Sequence, residues 1–397
     1  MNKKTVRDIK LDAKTVLVRV DYNVPFRPGT TEISDDSRIR ATLPTLRYLI
    51  ERKCRVVVIS HMGRPKGKEV DELRMNPVTE RLAKLLGSPV VQAKACVGPE
   101  VQQAIRSLPP GGVIMLENIR FMDGEEKNDP KLAADIAALG EVFVNDAFGA
   151  AHRAHASTEG VAHKLPSVAG FLMQRELDML GTALESPKRP FTAIVGGAKV
   201  SDKSAVLEHL ARNVDAIIIG GGMAATFLKA KGLSIGDSLV EDDRVASTAA
   251  FMQQTKGGKP ALLLPTDVVV ADAFAENANH KVVPVEGIQN GWRIMDIGPK
   301  TAETYERQVK ASRTVLWNGP MGVFEWKPFA AGTERVAMAL ASLKDATTVL
   351  GGGSTAEAAD ALGLADRMTH VSTGGGASLE FLEGKTLPGV AALMDAH

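Results

Sequence analysis

Short apolar runs, each ending in glycine or in a charged or amide side chain, punctuate this chain from end to end. TVLVRVDYN (15–23), RVVVISHMG (55–63), GVIMLENIR (112–120) and EVFVNDAFG (141–149) open the series. FTAIVGG (191–197), AIIIGGG (216–222), ALLLPTDVVVA (261–271), TVLWNGP (314–320), TTVLGGG (347–353) and MTHVSTGGG (368–376) continue it. A strand with one wet face alternates polar with apolar residues. These runs are apolar on successive residues and rich in Val and Ile, which predicts strands covered on both faces of a parallel sheet. Between them lie helix patterns with legible ends. Asp129 and Pro130 open KLAADIAAL as N-cap and first-turn proline, and Gly140 closes it; Asn76 and Pro77 open VTERLAKLL, and Gly87 closes it. Strand and helix alternating over the whole length predicts an α/β fold.

About ten strands exceed the roughly 4–6 of an ordinary sheet, and 397 residues exceed one core. Two similar α/β domains fit better. The stretch GFLMQRELDMLGTALESP (170–187) reads as the dividing helix, because a fresh strand follows Pro190. The last ~20 residues are too short for a domain of their own. A formal net charge of +1 gives no global basic field for nucleic acid or an anionic membrane, so any anion site must be a local cluster. Cys54 and Cys96 follow no metal-ligand or CxxC spacing and read as buried or free thiols in a reducing compartment. The N-terminal MNKKTVRDIK has no apolar signal region, and no apolar stretch approaches about 18 residues. The expectation is a soluble cytoplasmic protein.

Ligands of open α/β sheets bind beyond the carboxyl ends of the strands, and here the two halves load those ends differently. The first half supplies Asp21, Asn23, His61, Arg64, Arg120, Asn145 and Asp146, with Arg38 near by and AAHRAHAS (150–157) carrying His152, Arg153 and His155. Arginine forks match carboxylate and phosphate oxygens, so converging cations suit a small, highly anionic substrate. The second half supplies glycine runs at 196–197, 220–222, 351–353 and 374–376, together with Lys199 and Lys203. Glycine lets backbone N–H groups approach a phosphate, and a helix start adds its positive end. The strict Walker A pattern is absent, since GRPKGKE (63–69) is one residue short. GxGxxA occurs twice, at 220–225 and 351–356, so a nicotinamide-dependent dehydrogenase stands as the alternative enzyme. A nucleotide in one domain and a small anion in the other is the layout of phosphoryl transfer.

The motifs RVDYNVP (19–25), SRIRATLPTL (37–46), SHMGRPKG (60–67), LENIRF (116–121), NDAFGAAHRAHAS (145–157), GGAKVSDK (196–203), GGGMAATF (220–227), DIGPKT (296–301), WNGPMGVFE (317–325) and STGGGAS (372–378) resemble the phosphoglycerate kinase family, in family order across nearly the whole chain. The resemblance implies two Rossmann-like three-layer domains with parallel sheets joined by a hinge helix. The first would span 1–172, with the tail of about 380–397 packed back on it and binding phosphoglycerate. The second would span 173–379 and bind the nucleotide. The implied reaction is reversible phosphoryl transfer between 1,3-bisphosphoglycerate and ADP, giving ATP and 3-phosphoglycerate, with Mg²⁺ and by a monomer.

By the same resemblance Asp21 and Asn23 bind the glycerate part, and Arg38, His61, Arg64, Arg120 and Arg153 form the basic patch, Arg38 nearest the transferred group. Lys199 follows the moving phosphoryl and Lys203 holds the α-phosphate. Asn318 lies near the phosphates, Glu325 on the ribose, and Gly220, Gly221 and Met295 at the adenine. The amides of Gly352, Gly353, Gly375 and Gly376 face the phosphates, with Thr355 beside them; Gly353 and Gly376 share the catalytic role with Arg38 and Lys199. One position departs: the family pattern has Asp where Ser354 stands, and that carboxylate helps hold the magnesium. A hydroxyl is a poorer ligand for a hard dication. Ser354 and Glu357 also make S-x-x-E, a capping box. Ser354 is therefore expected to cap a helix, with Mg²⁺ held mainly by phosphates and water. Direct ligation by its hydroxyl, or help from Asp202, is the other reading, and a catalytically impaired binding homologue is the non-enzyme alternative.

Overall fold

The computed structural model describes residues 2–257 and 260–396. The chain divides into two compact units, Met1–Asp178 with Thr386–His397, and Met179–Lys385. The first unit holds β1 (Thr15–Arg19), β2 (Arg55–Ile59), β3 (Val90–Gln92), β4 (Val113–Met115), β5 (Val142–Asn145) and β6 (Ser167–Ala169) in one sheet of order β3-β4-β2-β1-β5-β6. Every pairing in it is parallel. Alternate residues point to opposite faces, and both faces are dry. Val16, Val18, Val56 and Val58 enter one core cluster, while Leu17, Val57 and Ile59 enter another. That is why the runs are apolar without alternation. Each such Val, Leu or Ile contributes about 1.5–3 kcal/mol by burial.

The helices of this unit are α1 (Ser37–Glu51), α2 (Asn76–Leu86), α3 (Pro99–Arg106), α4 (Pro130–Ala137) and the first half of α5 (Phe171–Glu185). Asp129 caps α4 as expected, its carboxylate accepting from Leu132 N at 2.7 Å. Gly87 ends α2 at φ 72°. Asn76 differs from expectation. It already lies inside α2, Met75 takes the cap position, and no side chain caps that end.

The second unit holds β7 (Phe191–Val195), β8 (Ala216–Ile219), β9 (Ala261–Leu263), β10 (Asp267–Ala271), β11 (His280–Pro284), β12 (Arg293–Ile297), β13 (Thr314–Asn318), β14 (Thr347–Gly351) and β15 (His370–Val371). Six of these form a parallel sheet of order β15-β14-β13-β7-β8-β9. The helices around it are α6 (Ser204–Ala211), α7 (Ala224–Ala230), α8 (Val245–Gln254), α9 (Pro299–Lys310), α10 (Ala331–Ala341), α11 (Gly353–Ala361) and α12 (Gly376–Leu382). The run 261–271, expected as one strand, is two. Leu264, Pro265 and Thr266 interrupt it, and β10 belongs to a separate antiparallel sheet of order β11-β10-β12.

The final helix α13 (Pro388–Ala391) returns the chain to the first unit. Asn145 Nδ2 donates to Gly389 O at 2.9 Å, and Lys4 N donates to Met394 O at 2.8 Å. Among the described residues no helix is long and apolar enough to cross a membrane.

Candidate active site

In a parallel sheet all carboxyl ends open on one edge, and a crevice forms where the strand order reverses. In the first unit the chain builds outward from β1 to β2 and then returns to place β5 on the other side, so the reversal lies between β1 and β5. Asp21 follows β1, His61 follows β2, and Arg120 follows β4. Arg38 reaches the same place from the first turn of α1, donating from Nη1 to Asp21 Oδ2 at 2.7 Å. Asn23 Oδ1 accepts from Gly63 N at 2.9 Å, and Arg120 Nη1 donates to Gly63 O at 2.7 Å, so the loops after β1, β2 and β4 are clipped together.

His61 is buried. Its Nδ1 lies 3.2 Å from Arg19 Nη2. A guanidinium can only donate, so Nδ1 accepts and the ring proton sits on Nε2, 3.9 Å from Asp21 Oδ1. Burial first, then the charges of Arg19, Arg120 and Arg38, hold the His61 pKa well below its usual value, although Asp21 pulls the other way. The ring is a neutral N–H donor. Asp21 is the reverse case. Burial would raise it, but the N–H end of the neutral His61 ring and the charges of Arg38 and Arg19 outweigh burial and keep its carboxyl below the ordinary range.

Arg19 is fully buried and was not singled out from the sequence. It donates to Ser157 Oγ at 2.7 Å and to Val20 O, and lies 3.9 Å from Glu125. Glu125, also fully buried, accepts from Ser157 Oγ at 2.6 Å and Ser157 N at 2.9 Å. His155 is 3.7 Å from the same carboxylate, and burial together with the nearby arginines pushes its pKa down to about 4. A charge in the middle of VLVRVD, a strand buried on both faces, was the available signal for Arg19. Glu125 sits in a polar stretch and gave none. Arg64 and Arg153 are exposed and stand outside this buried array. Asn145 and Asp146 are structural: Asn145 holds the C-terminal segment, and Asp146 accepts from Met173 N at 3.0 Å at the start of α5.

In the second unit the reversal lies between β7 and β13. Lys203 Nζ donates there to Asn318 Oδ1. Burial lowers the Lys203 pKa, against the pull of Asp202 and Glu383. Asn318 Nδ2 is buried with no protein partner, and a Cβ on Gly352 would come 3.2 Å from it. An orphaned donor beside an open glycine turn fits a phosphate oxygen. Lys199 is exposed on the same loop.

The glycine runs prove to serve two purposes. A Cβ on Gly196 would meet the carbonyls of Gly319 and Pro320, and one on Gly221 (φ 68°) would meet the backbone of Gly197. A Cβ on Gly220 would meet Met321. These glycines let the ends of β7, β8 and β13 pack backbone against backbone. Gly353 and Gly375 instead face open space, with nothing nearer their Cβ positions than Glu357 Oε1 at 4.0 Å from that of Gly353.

Ser354 does not cap. Helix α11 begins at Gly353, and Gly352, at φ 89°, takes the cap position with no side-chain bond. A left-handed glycine starts the helix one turn position too early for S-x-x-E, so Ser354 is already helical and exposed. Thr355 is buried, and its hydroxyl accepts from Gly319 N at 2.7 Å. Met295 is buried against Phe329, and Glu325 is exposed.

The phosphoglycerate kinase family model matches residues 6–385. The chain is 56% identical over 401 aligned positions to the phosphoglycerate kinases of Chloroflexus aurantiacus and Chloroflexus aggregans, covering 100% of each chain. The chain belongs to the phosphoglycerate kinase family. Solved structures agree: the phosphoglycerate kinase of Coxiella burnetii superposes at TM-score 0.89 with 41% identity, and that of Pyrococcus horikoshii at 0.83 with 33%, each over 98% of both chains. Phosphoglycerate kinases are phosphotransferases acting on a nucleotide and phosphoglycerate. The dehydrogenase reading of the GxGxxA turns and the binding-only reading find no support in these matches.

Proposed function

We propose that the cationic strand ends of the first unit hold 3-phosphoglycerate or 1,3-bisphosphoglycerate, and that the loops of the second hold ADP or ATP. The convergence of Arg38 and His61 on Asp21 at the reversal of the first sheet, with Arg120 clipped to Gly63 O on the neighbouring loop, carries this reading. Asp21, Asn23 and the Nε2–H of His61 take the glycerate oxygens. Arg38, Arg64, Arg120 and Arg153 take the anionic groups. An oxygen of the ADP β-phosphate attacks the acyl phosphate phosphorus in line, and the P–O bond to the carboxylate breaks. Arg38 stabilises the departing carboxylate, and Lys199 with the amides of Gly353 and Gly376 accompanies the phosphoryl. No protein nucleophile or base is required. Lys203, Asn318 and Gly352 hold the phosphates, Thr355 shapes the turn, and Gly220, Gly221, Met295 and Glu325 border adenosine.

Among the described residues no three His, Cys, Asp or Glu side chains group as a metal cage. The exposed oxygens of Ser354 and Asp202 fit Mg²⁺ that arrives on the nucleotide and takes few protein ligands. When bound, the ion neutralises phosphate charge. A monomer is favoured because one chain supplies both sites, and a cytoplasmic setting by two buried free thiols.

Arg38→Ala tests the assignment. Turnover of ATP with 3-phosphoglycerate should fall about 10²–10³-fold in kcat with the ATP KM unchanged, the loss typical of one electrostatic group. An unchanged kcat would remove Arg38 from the reacting centre.

A further inference from the structure

The loop from Lys199 to Lys203 carries both candidate phosphate lysines, yet its own residues are largely exposed. Its one apolar anchor is Val200, buried, whose carbonyl accepts from Lys203 N and Ser204 Oγ, each at 2.9 Å. Besides the bond from Lys203 to Asn318, a tie comes from 40 residues away. Glu241 accepts Ser201 N on Oε2 at 2.9 Å and Ser201 Oγ on Oε1 at 2.5 Å. The backbone N–H of Val200 points to the same carboxylate. Glu241 is itself held by its N–H to Thr226 Oγ1 at 3.3 Å, and Thr226 is buried in α7. The carboxylate thus spends its oxygens on the backbone and hydroxyl of Ser201, between the lysines.

We propose that Glu241, with Ser201, is a positioning residue that fixes the backbone of the 199–203 loop so that Lys199 and Lys203 reach one polyphosphate. This rests on the reading of those lysines as phosphate ligands. A lysine is a flexible stem, and where its ammonium arrives depends on where its backbone starts. A shift of about 1 Å in a positioned group can cost 10²-fold in rate. Charge-assisted bonds to main-chain N–H groups are the strong kind. Burial works against the ionised Glu241, but Ser201, Val200 and the Lys199 charge keep its pKa below the usual value, so the clamp is anionic and intact at neutral pH.

The test compares Glu241→Ala, Glu241→Gln, Ser201→Ala, Lys199→Met and Lys203→Met in the full-length enzyme. Binding of ATP, ADP and adenosine is measured by calorimetry, alongside kcat and both KM values. Glu241→Ala should weaken ATP and ADP about 5–10-fold and lower kcat about tenfold, the scale of a small displacement. Adenosine affinity and the 3-phosphoglycerate KM should hold. Glu241→Gln and Ser201→Ala, which each keep part of the clamp, should fall between, and Glu241→Ala/Lys199→Met should be no slower than Lys199→Met. If Glu241→Ala weakens adenosine as much as ATP, or leaves both nucleotides and kcat unchanged while the lysine variants lose them, the clamp is wrong and the lysine assignment stands. If Lys199→Met and Lys203→Met change neither binding nor kcat, the lysine assignment falls and the clamp with it.

Discussion

The two units place their chemistry at the same topological position and build it from opposite materials. In the first, the crevice is furnished with long charged side chains, steadied from beneath by the buried Arg19, Glu125 and Ser157. In the second, the strand ends are bare backbone, steadied by Gly319 pressed against Gly196 and by Gly221 pressed against Gly197. A side-chain site can be weakened in steps, because each group has its own contacts. A backbone site leaves no room for a side chain, so small additions there act on the whole crevice.

The sharpest way to break this contrast is Gly319→Ala. Gly319 has φ 96°, its Cβ would overlap the backbone of Gly196, and its N–H and carbonyl serve Thr355 and Trp317 Nε1. Strain plus overlap should cost about 3–5 kcal/mol, read as lost stability in urea. A stable, active variant would refute backbone packing as the support of the second site. Next comes Arg19→Lys, which keeps a cation for Glu125 but cannot serve Ser157, Val20 O and His61 together. The 3-phosphoglycerate KM should rise about tenfold, the loss of one charge-assisted positioning bond, with the ATP KM unchanged. The His61 pKa, followed by NMR, should move up, because Nδ1 loses the guanidinium N–H that it accepts only while unprotonated. An unmoved pKa would make Arg19 a purely structural group. The smallest effect is expected from Ser354→Asp, which brings a charged side chain into the backbone-built site. The magnesium concentration for half-maximal rate should drop severalfold, since a carboxylate is the better hard-cation ligand. An unchanged requirement would mean that residue 354 never meets the ion.

The sequence revealed most of both sheets because burial on two faces writes an unbroken apolar run, as in RVVVI and AIII. It concealed β3 and β6, three residues each, β11, whose residues are nearly all exposed and leave no apolar signature, and β12, whose RIMDI is broken by two charges. The cationic residues were legible from their places after β1, β2 and β4, whereas Glu125 was invisible because its partner, Ser157, lies 32 residues away. The glycine runs were legible as motifs but not as roles, since packing glycines and open glycines look alike in one dimension. The S-x-x-E pattern at Ser354 misleads for a related reason: φ at Gly352 sets the helix start, and no residue pattern reports a torsion angle.

The return of the last helix to the first unit has a consequence for biosynthesis. Residues 179–385 form an uninterrupted segment, while the first unit lacks residues 386–397 until the whole second unit has been synthesised. Val390 and Leu393 are buried there, Lys3 pairs with Asp395 at 2.7 Å, and Asn145 waits for Gly389. The half of the enzyme that is begun first is therefore completed only after the other half has been made.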